Sequence, residues 1–157
     1  MSEPRNRADV GFVGWQPLGV IRELLPPQTS LAFDAMRELR PQLGDEATFV
    51  ELVDHVLRPE GVRLIGSIDG GSCVAVAGFR VATSISWGRH VYVHDLSTLP
   101  AHRGRGHSTG LLAWIDAEAV RQGCGQVHLD SGHDRVEAHR LYLRYGYEDV
   151  ARHFARR

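Results

Sequence analysis

The residues with the most evident capacity for chemistry run consecutively from Leu96 to Ser108, as Leu-Ser-Thr-Leu-Pro-Ala-His-Arg-Gly-Arg-Gly-His-Ser. Gly104 and Gly106 allow a sharp backbone turn in which N–H groups face a ligand without a Cβ in the way. A helix starting here would add unpaired N–H groups and the positive end of its dipole, which together favour a phosphate. Arg103 and Arg105 bring guanidinium donors that match phosphate oxygens. The same residues also make a plain Gly-rich strand-to-helix turn with solvated arginines, and both readings stand at this level. Just upstream, Asp95 falls within an otherwise apolar run. A carboxylate there is costly unless it is paired, hydrated or chemically employed. It can serve as a base or amine-binding group, or accept backbone N–H groups or an Arg such as Arg80 or Arg89. Strand alternation turns His94 to the opposite face.

The composition narrows the chemistry further. The 157 residues fit one domain with a single well-buried core, and 43% apolar with 24% charged residues is ordinary for a globular chain. Every one of the 18 basic residues is arginine. A lysine nucleophile, a Schiff base and the Lys of a Walker loop are therefore excluded. A net charge of −1 gives no general nucleic-acid footprint. Cys73 and Cys124 cannot form a disulfide framework, and the nine His residues are scattered rather than grouped with Cys, which speaks against a structural zinc site. No apolar run reaches membrane-span length and the N-terminus has no signal-peptide core, so a cytoplasmic setting is expected.

The elements that position these residues follow from periodicity. Residues 1–17 read as a flexible arm, and residues 18–157 as a single domain. Leu18 to Leu25 predicts a short strand halted by Pro26-Pro27. Thr29 or Ser30 reads as the cap of a helix carrying Phe33, Met36 and Leu39 up to Pro41. A second helix begins near Asp45, with Phe49, Leu52, Val53 and Val56 on one stripe. Val62, Leu64, Gly66 and Ile68 alternate as a strand, and Asp69-Gly70-Gly71 predicts a hairpin turn. Cys73 to Thr83 reads as a strand buried on both faces, and His90 to Thr98 as the next. Leu111, Leu112, Ile115 and Ala119 mark a helix that stops at Gly123. Gln126 to Asp130 is a strand, Ala138 to Tyr145 a helix ended by Gly146, and Tyr147 to Phe154 a final strand. This order describes one mixed α/β sheet with a strand–helix–strand crossover.

Two spaced motifs on these elements resemble the GNAT superfamily of acetyl-CoA-dependent N-acetyltransferases. The first is Pro100 followed by Arg103-Gly104-Arg105-Gly106-His107-Ser108, with Ser108 where that family has Gly or Ala. The second is Ala138, Tyr142, Gly146 and Tyr147 at the family's spacing. The Asn that many members place before the second helix is absent, with Arg135 near its place. The resemblance spans roughly residues 62–154, with a helix pair upstream.

The resemblance implies a central mixed β-sheet whose two adjacent parallel strands splay apart, flanked by helices, with acetyl-CoA as co-substrate in the opening and no metal. It implies that the backbone of Leu96, Ser97 and Thr98 pairs with the pantetheine arm, and that N–H groups of Arg103, Gly104, Arg105, Gly106, His107 and Ser108 hold the pyrophosphate. Tyr142 occupies the position of the acid that protonates the departing thiolate; the residues alone allow a core role equally, since Tyr142 shares its stripe with Ala138, Leu141 and Tyr145. Asp95 sits where many members keep a carboxylate that works directly or through water. Asp130, Ser131 and Arg135 follow the second splayed strand and are candidates to line the acceptor site, while Asp134 reads as a helix cap. The implied partner is a small-molecule or peptide amine, with no nucleic acid and no membrane; homodimers are common among relatives. The competing class is a non-catalytic acyl-CoA sensor or protein-interaction module.

Overall fold

A computed structural model describes residues 19–157 of the chain, so the arm expected over residues 1–17 lies outside the described residues. Five strands, β1 (Val20–Glu23), β2 (Arg63–Asp69), β3 (Ser72–Ser84), β4 (Gly88–Thr98) and β5 (Gln126–Leu129), form one sheet in sequence order. The first four pair antiparallel, whereas β4 and β5 are parallel. A parallel pair needs a crossover, and helix α3 (His107–Arg121) supplies it. Helices α1 (Phe33–Leu39) and α2 (Glu46–Glu51) precede β2, and α4 (Val136–Tyr145) follows β5. Among the described residues no helix is long and apolar enough to cross a membrane.

Apolar side chains fill two layers, one on each face of the sheet. Leu24, Phe33, Met36, Phe49, Val53, Leu64 and Val76 pack beneath α1 and α2. Ile65, Ala77, Phe79, Val91, Val93, Leu111 and Ile115 pack beneath α3. The two-sided burial explains why β2 is buried continuously from Leu64 to Ser67 instead of alternating as its sequence suggested. Gly70 and Gly71, at φ +57° and +82°, close the β2–β3 hairpin as the Asp-Gly-Gly signal required.

Several expectations change in the fold. Thr29 is not a helix cap. It lies in a 3₁₀ turn (Gln28–Ala32) that runs into α1, fully buried, and its hydroxyl donates to Asp54 Oδ1 at 2.6 Å. Asp45 does cap α2, accepting from the Thr48 N–H at 2.8 Å. That helix then widens into a π turn over Leu52–Leu57, closed by the Arg58 N–H on the Val53 carbonyl. The wider turn rotates the expected stripe, so Phe49 and Val53 are buried while Leu52 and Val56 stay exposed. Asp134 is not the cap of α4: Arg135 holds the N-cap position with no side-chain capping bond, and the Asp134 carbonyl accepts from the Val136 N–H in the turn before the helix. The final strand expected over Tyr147 to Phe154 does not form; residues 147–157 carry no regular structure, and Val150 and Phe154 are exposed.

One polar network fastens the α3 face. Arg63 on β2 donates to Glu23 on β1 (2.8 Å) and to Glu118 on α3 (2.7 Å), and lies over the Phe79 ring. Glu118 also accepts from Arg121 and Gln122. The hydrogen bond from Arg63 holds the buried Glu118 carboxyl down to about 2 against the desolvation that would raise it. The folded chain therefore resists protonating Glu118 where the unfolded chain accepts the proton. The associated stability is fully present above about pH 4.5 and is lost as pH falls through about 2. Urea unfolding over this window should show the midpoint falling with pH, and Glu118→Gln should flatten that fall while lowering stability at neutral pH.

Candidate active site

The opening between β4 and β5 is set by unequal pairing. β4 pairs with β3 from Gly88 through Thr98, but with β5 only from His90 to Val93. Beyond Val93, among the described residues, the β5-facing edge of His94 through Thr98 has no strand partner. At the point of parting, the Tyr92 hydroxyl donates to the Asp130 carboxylate, bridging the two strands, and His153 reaches the same carboxylate at 3.1 Å. Asp130 is thus a clamp across the fork.

From the end of β4 the chain turns through a 3₁₀ segment (Pro100–His102) into the glycine loop. Gly104 has φ +73° and open space where a Cβ would stand; Gly106, at φ +89°, is the N-terminal boundary of α3. No side chain caps that helix end. Among the described residues, the N–H groups from Gly104 through Thr109 donate to no protein acceptor. Arg103 differs, since its N–H is engaged by the Pro100 carbonyl at 3.3 Å and its guanidinium donates to Glu38 and the Thr98 carbonyl. Arg105 is exposed and makes no ion pair among the described residues. Ser108, the departure from the family pattern, turns its hydroxyl to Thr98 Oγ1 at 2.9 Å. Its side chain therefore stitches the loop to β4, and its N–H stays open. The run of oriented amides fits a diphosphate such as that of coenzyme A.

On the α1 side of the sheet the pleat breaks. Asp95 is opposite Gly78 and Val93 opposite Phe79, which leaves His94 as the extra residue of a β-bulge. Simple alternation had set His94 and Asp95 on opposite faces. The bulge corrects that: the His94 ring lies 4.9 Å from Tyr92, on the face that Asp95 shares. Gly78 makes room here, because a Cβ at that position would come within 3.3 Å of Asp95 Oδ2. Asp95 Oδ1 accepts from Arg40 Nε (2.9 Å) and Nη2 (2.8 Å), and Arg40 also reaches the His94 carbonyl. The expected arginine partner thus comes from the end of α1 rather than from Arg80 or Arg89. Arg80 Nε and His94 Nε2 are buried on this face without a hydrogen-bond partner among the described residues. Burial first, then the Arg80 charge, pull the His94 imidazole below its ordinary value, against the opposing Asp95 charge.

Tyr142, on α4, lines a cavity of about 700 Å³ together with Leu129, Asp130, Ser131, His133 and His139. Arg135 is close enough for its charge to act on the phenol. Burial raises the Tyr142 phenol above its ordinary range, more than Arg135 lowers it, so the hydroxyl keeps its proton at neutral pH. Tyr145 is structural, donating to Asp116 Oδ2 at 2.7 Å. Tyr142, Asp130 and Ser131 are brought together, whereas Asp95 belongs to the polar face beside α1. Sequence reasoning missed Arg40 and Tyr92. Arg40 carries no local signal, being 55 residues from Asp95.

Comparison with known proteins bears on this arrangement. A family model described as the Acetyltransferase (GNAT) family matches residues 23–147. The uncharacterized N-acetyltransferase YhdJ of Bacillus subtilis is 31% identical over 111 residues, covering 71% of this chain and 78% of that protein. Thialysine N-epsilon-acetyltransferase of Mus musculus is 28% identical over 136 residues, covering 83% and 76%. The solved structure of AAC(6')-Iy with the bisubstrate analogue CoA-S-monomethyl-acetylneamine superposes with a TM-score of 0.75, at 17% identity, over 88% of this chain and 96% of that one.

Nuclear magnetic resonance titration of the His94 ring should give a midpoint below 6.5. Asp95→Asn should move it further down and Arg80→Ala back up; shifts of the opposite sign would mean that the two charges do not face this imidazole.

Proposed function

The chain belongs to the GNAT acetyltransferase family and is an acyltransferase, and from that premise we propose that it moves the acetyl group of acetyl-CoA directly to a primary amine in a ternary complex. The observation that carries this reading is the run of unpartnered N–H groups at the start of α3, set beside a strand edge left open by β5. Gly104 to Ser108 hold the pyrophosphate, and the open edge of Leu96, Ser97 and Thr98 pairs with the pantetheine arm as an added strand would. The co-substrate supplies an acetyl thioester.

In the reaction the amine nitrogen bonds to the thioester carbonyl carbon and the carbon–sulfur bond breaks. Tyr142 gives its phenolic proton to the departing thiolate. A reference phenol near 10 and a thiol near 8.5 are close enough for transfer within a hydrogen bond. The proton lost by the amine goes to the acceptor face beside α1. There His94 Nε2 is an imidazole nitrogen without a partner among the described residues, and its depressed proton affinity keeps it neutral and able to accept. Asp95 serves as the counter-charge to the incoming ammonium, which gives up one proton to solvent before it attacks as the neutral amine. With Oδ1 held by Arg40, Asp95 is better suited to binding the amine than to removing the second proton, and water returns a proton to Tyr142 after the transfer. Asp130 and Ser131 line the cavity under Tyr142, with Arg135 beside them. The acceptor is a small-molecule amine, in keeping with the thialysine and acetylneamine named for relatives of this chain.

Release of free thiol from acetyl-CoA in the presence of a panel of amines tests the reading. Coenzyme A binding without any thiol release would favour a non-catalytic acyl-CoA module, and absence of binding would defeat both. Tyr142→Phe should lower kcat by roughly 10²-fold while leaving the affinity for coenzyme A within about twofold. Gly106→Val forces a β-branched residue into φ +89° and should weaken coenzyme A binding by about tenfold in calorimetry, with the Tyr142 environment unchanged.

A further inference from the structure

Behind the glycine loop, three side chains remote in sequence converge. A carboxylate oxygen of Asp69, at the end of β2, and one ring nitrogen each of His102 and His107 lie within 4.8 Å of one another. His107 is only 3% exposed, and its ring points away from the loop into the sheet, with Nδ1 2.9 Å from Ser67 Oγ. Its Nε2 is buried with no hydrogen-bond partner among the described residues. Nδ1 of His102 is also buried and, among the described residues, unpartnered, since Asp69 Oδ2 at 4.0 Å is beyond hydrogen-bond reach. Two buried imidazole nitrogens left unsatisfied beside a carboxylate are costly unless something accepts their lone pairs. A cation at the centre would take a lone pair from each nitrogen and one from the carboxylate, satisfying all three groups at once.

We propose that Asp69, His102 and His107 form a site for a divalent transition-metal ion of the Zn²⁺ type, separate from the coenzyme A and acceptor sites. Two imidazoles and one carboxylate suit Zn²⁺, Co²⁺ or Ni²⁺ and disfavour Mg²⁺ and Ca²⁺. Ser67, accepting from Nδ1–H of His107, fixes the tautomer that leaves Nε2 free as the ligand. Bond lengths of about 2.1 Å require the three ligand atoms to draw in by roughly 1 Å. Asp69 and His102 have partly exposed side chains with the freedom to do so, while His107 stays anchored. The scattering of His along the sequence concealed the grouping, because His102 and His107 meet Asp69 only when the loop folds over the β2–β3 turn. Since His102 and His107 flank Arg103–Gly106, the ion would tie both ends of the phosphate loop to β2.

The test uses the full chain freed of metal by a chelator, with neither coenzyme A nor acceptor present, so its outcome is independent of the acetyltransferase reading. Calorimetric titration with ZnCl₂ should show one site per chain, and MgCl₂ should give no heat. Zn²⁺ should raise the thermal midpoint by several degrees. Loading with Co²⁺ should give the visible absorption of a four-coordinate ion. His102→Ala and Asp69→Asn, at partly exposed positions, should each weaken Zn²⁺ binding by about tenfold or more and abolish the Co²⁺ band. Circular dichroism serves to confirm that each variant is folded, and if one is not, the other decides. Absence of Zn²⁺ binding would overturn the proposal. So would variants that bind as tightly as the parent chain, which would move the ion to other histidines.

Discussion

The molecule depends on β4 serving two partners unequally. Along one edge it is paired with β3 from Gly88 to Thr98 apart from the bulge at His94; along the other it is released by β5 after Val93. A strand held this way presents backbone donors and acceptors that are rigid and unpaired, and such groups demand a partner. The crossover through α3 brings a second set of unpaired amides to the same place, since the helix begins directly after the turn that leaves β4. The two defects in hydrogen bonding adjoin, and the proposed co-substrate, extended with a diphosphate at one end, would answer both. Tyr92 and Asp130 fix where the fork begins.

That arrangement needs a platform that does not yield. The two apolar layers supply it, and polar networks lock helices to strands on both sides. Arg63 ties β1, β2 and α3 through Glu23 and Glu118. On the opposite face Asp54 accepts from Thr29 and Arg58, and Arg58 reaches back to the Leu24 carbonyl. Burial acts to raise the Asp54 carboxyl, and its bonds to Arg58 and Thr29 outweigh that, leaving it ionised and lowered. The helix pair before β2 is thereby held against the sheet, and Arg40 at the end of α1 is delivered to Asp95. Packing and site geometry are here one problem: moving α1 by a turn would leave the Asp95 carboxylate half-buried and unpaired.

The bulge at His94 shows how a local irregularity reassigns chemistry. In a regular strand the imidazole would share the face of Tyr92, and Asp95 would follow Val93 in being buried among Leu and Ile. The extra residue instead returns Leu96 to the core side and places His94, Asp95 and Tyr92 on one polar face. Gly78 on the neighbouring strand is the matching concession, because a side chain there would press on Asp95. The strand missing after Tyr147 is the converse case: residues 147–154 do not alternate apolar with polar, and among the described residues no neighbouring edge engages them.

Much was determined by the sequence alone. The order of elements, the Gly-Gly hairpin, the Asp45 cap, the glycine loop opening a helix, and the two motifs that tie the loop to Tyr142 all rest on interactions between residues close in the chain, where residue type and spacing suffice. Only the tertiary structure decided which face each long-range partner reached. The Arg40–Asp95 pair, the Tyr92–Asp130 clamp, the π turn that hides Val53 but exposes Val56, and the gathering of Asp69 with His102 and His107 join positions whose separation along the chain carries no pattern. Their distances are set by how the sheet twists, bulges and packs, and by which buried polar groups must find one another once water has been excluded.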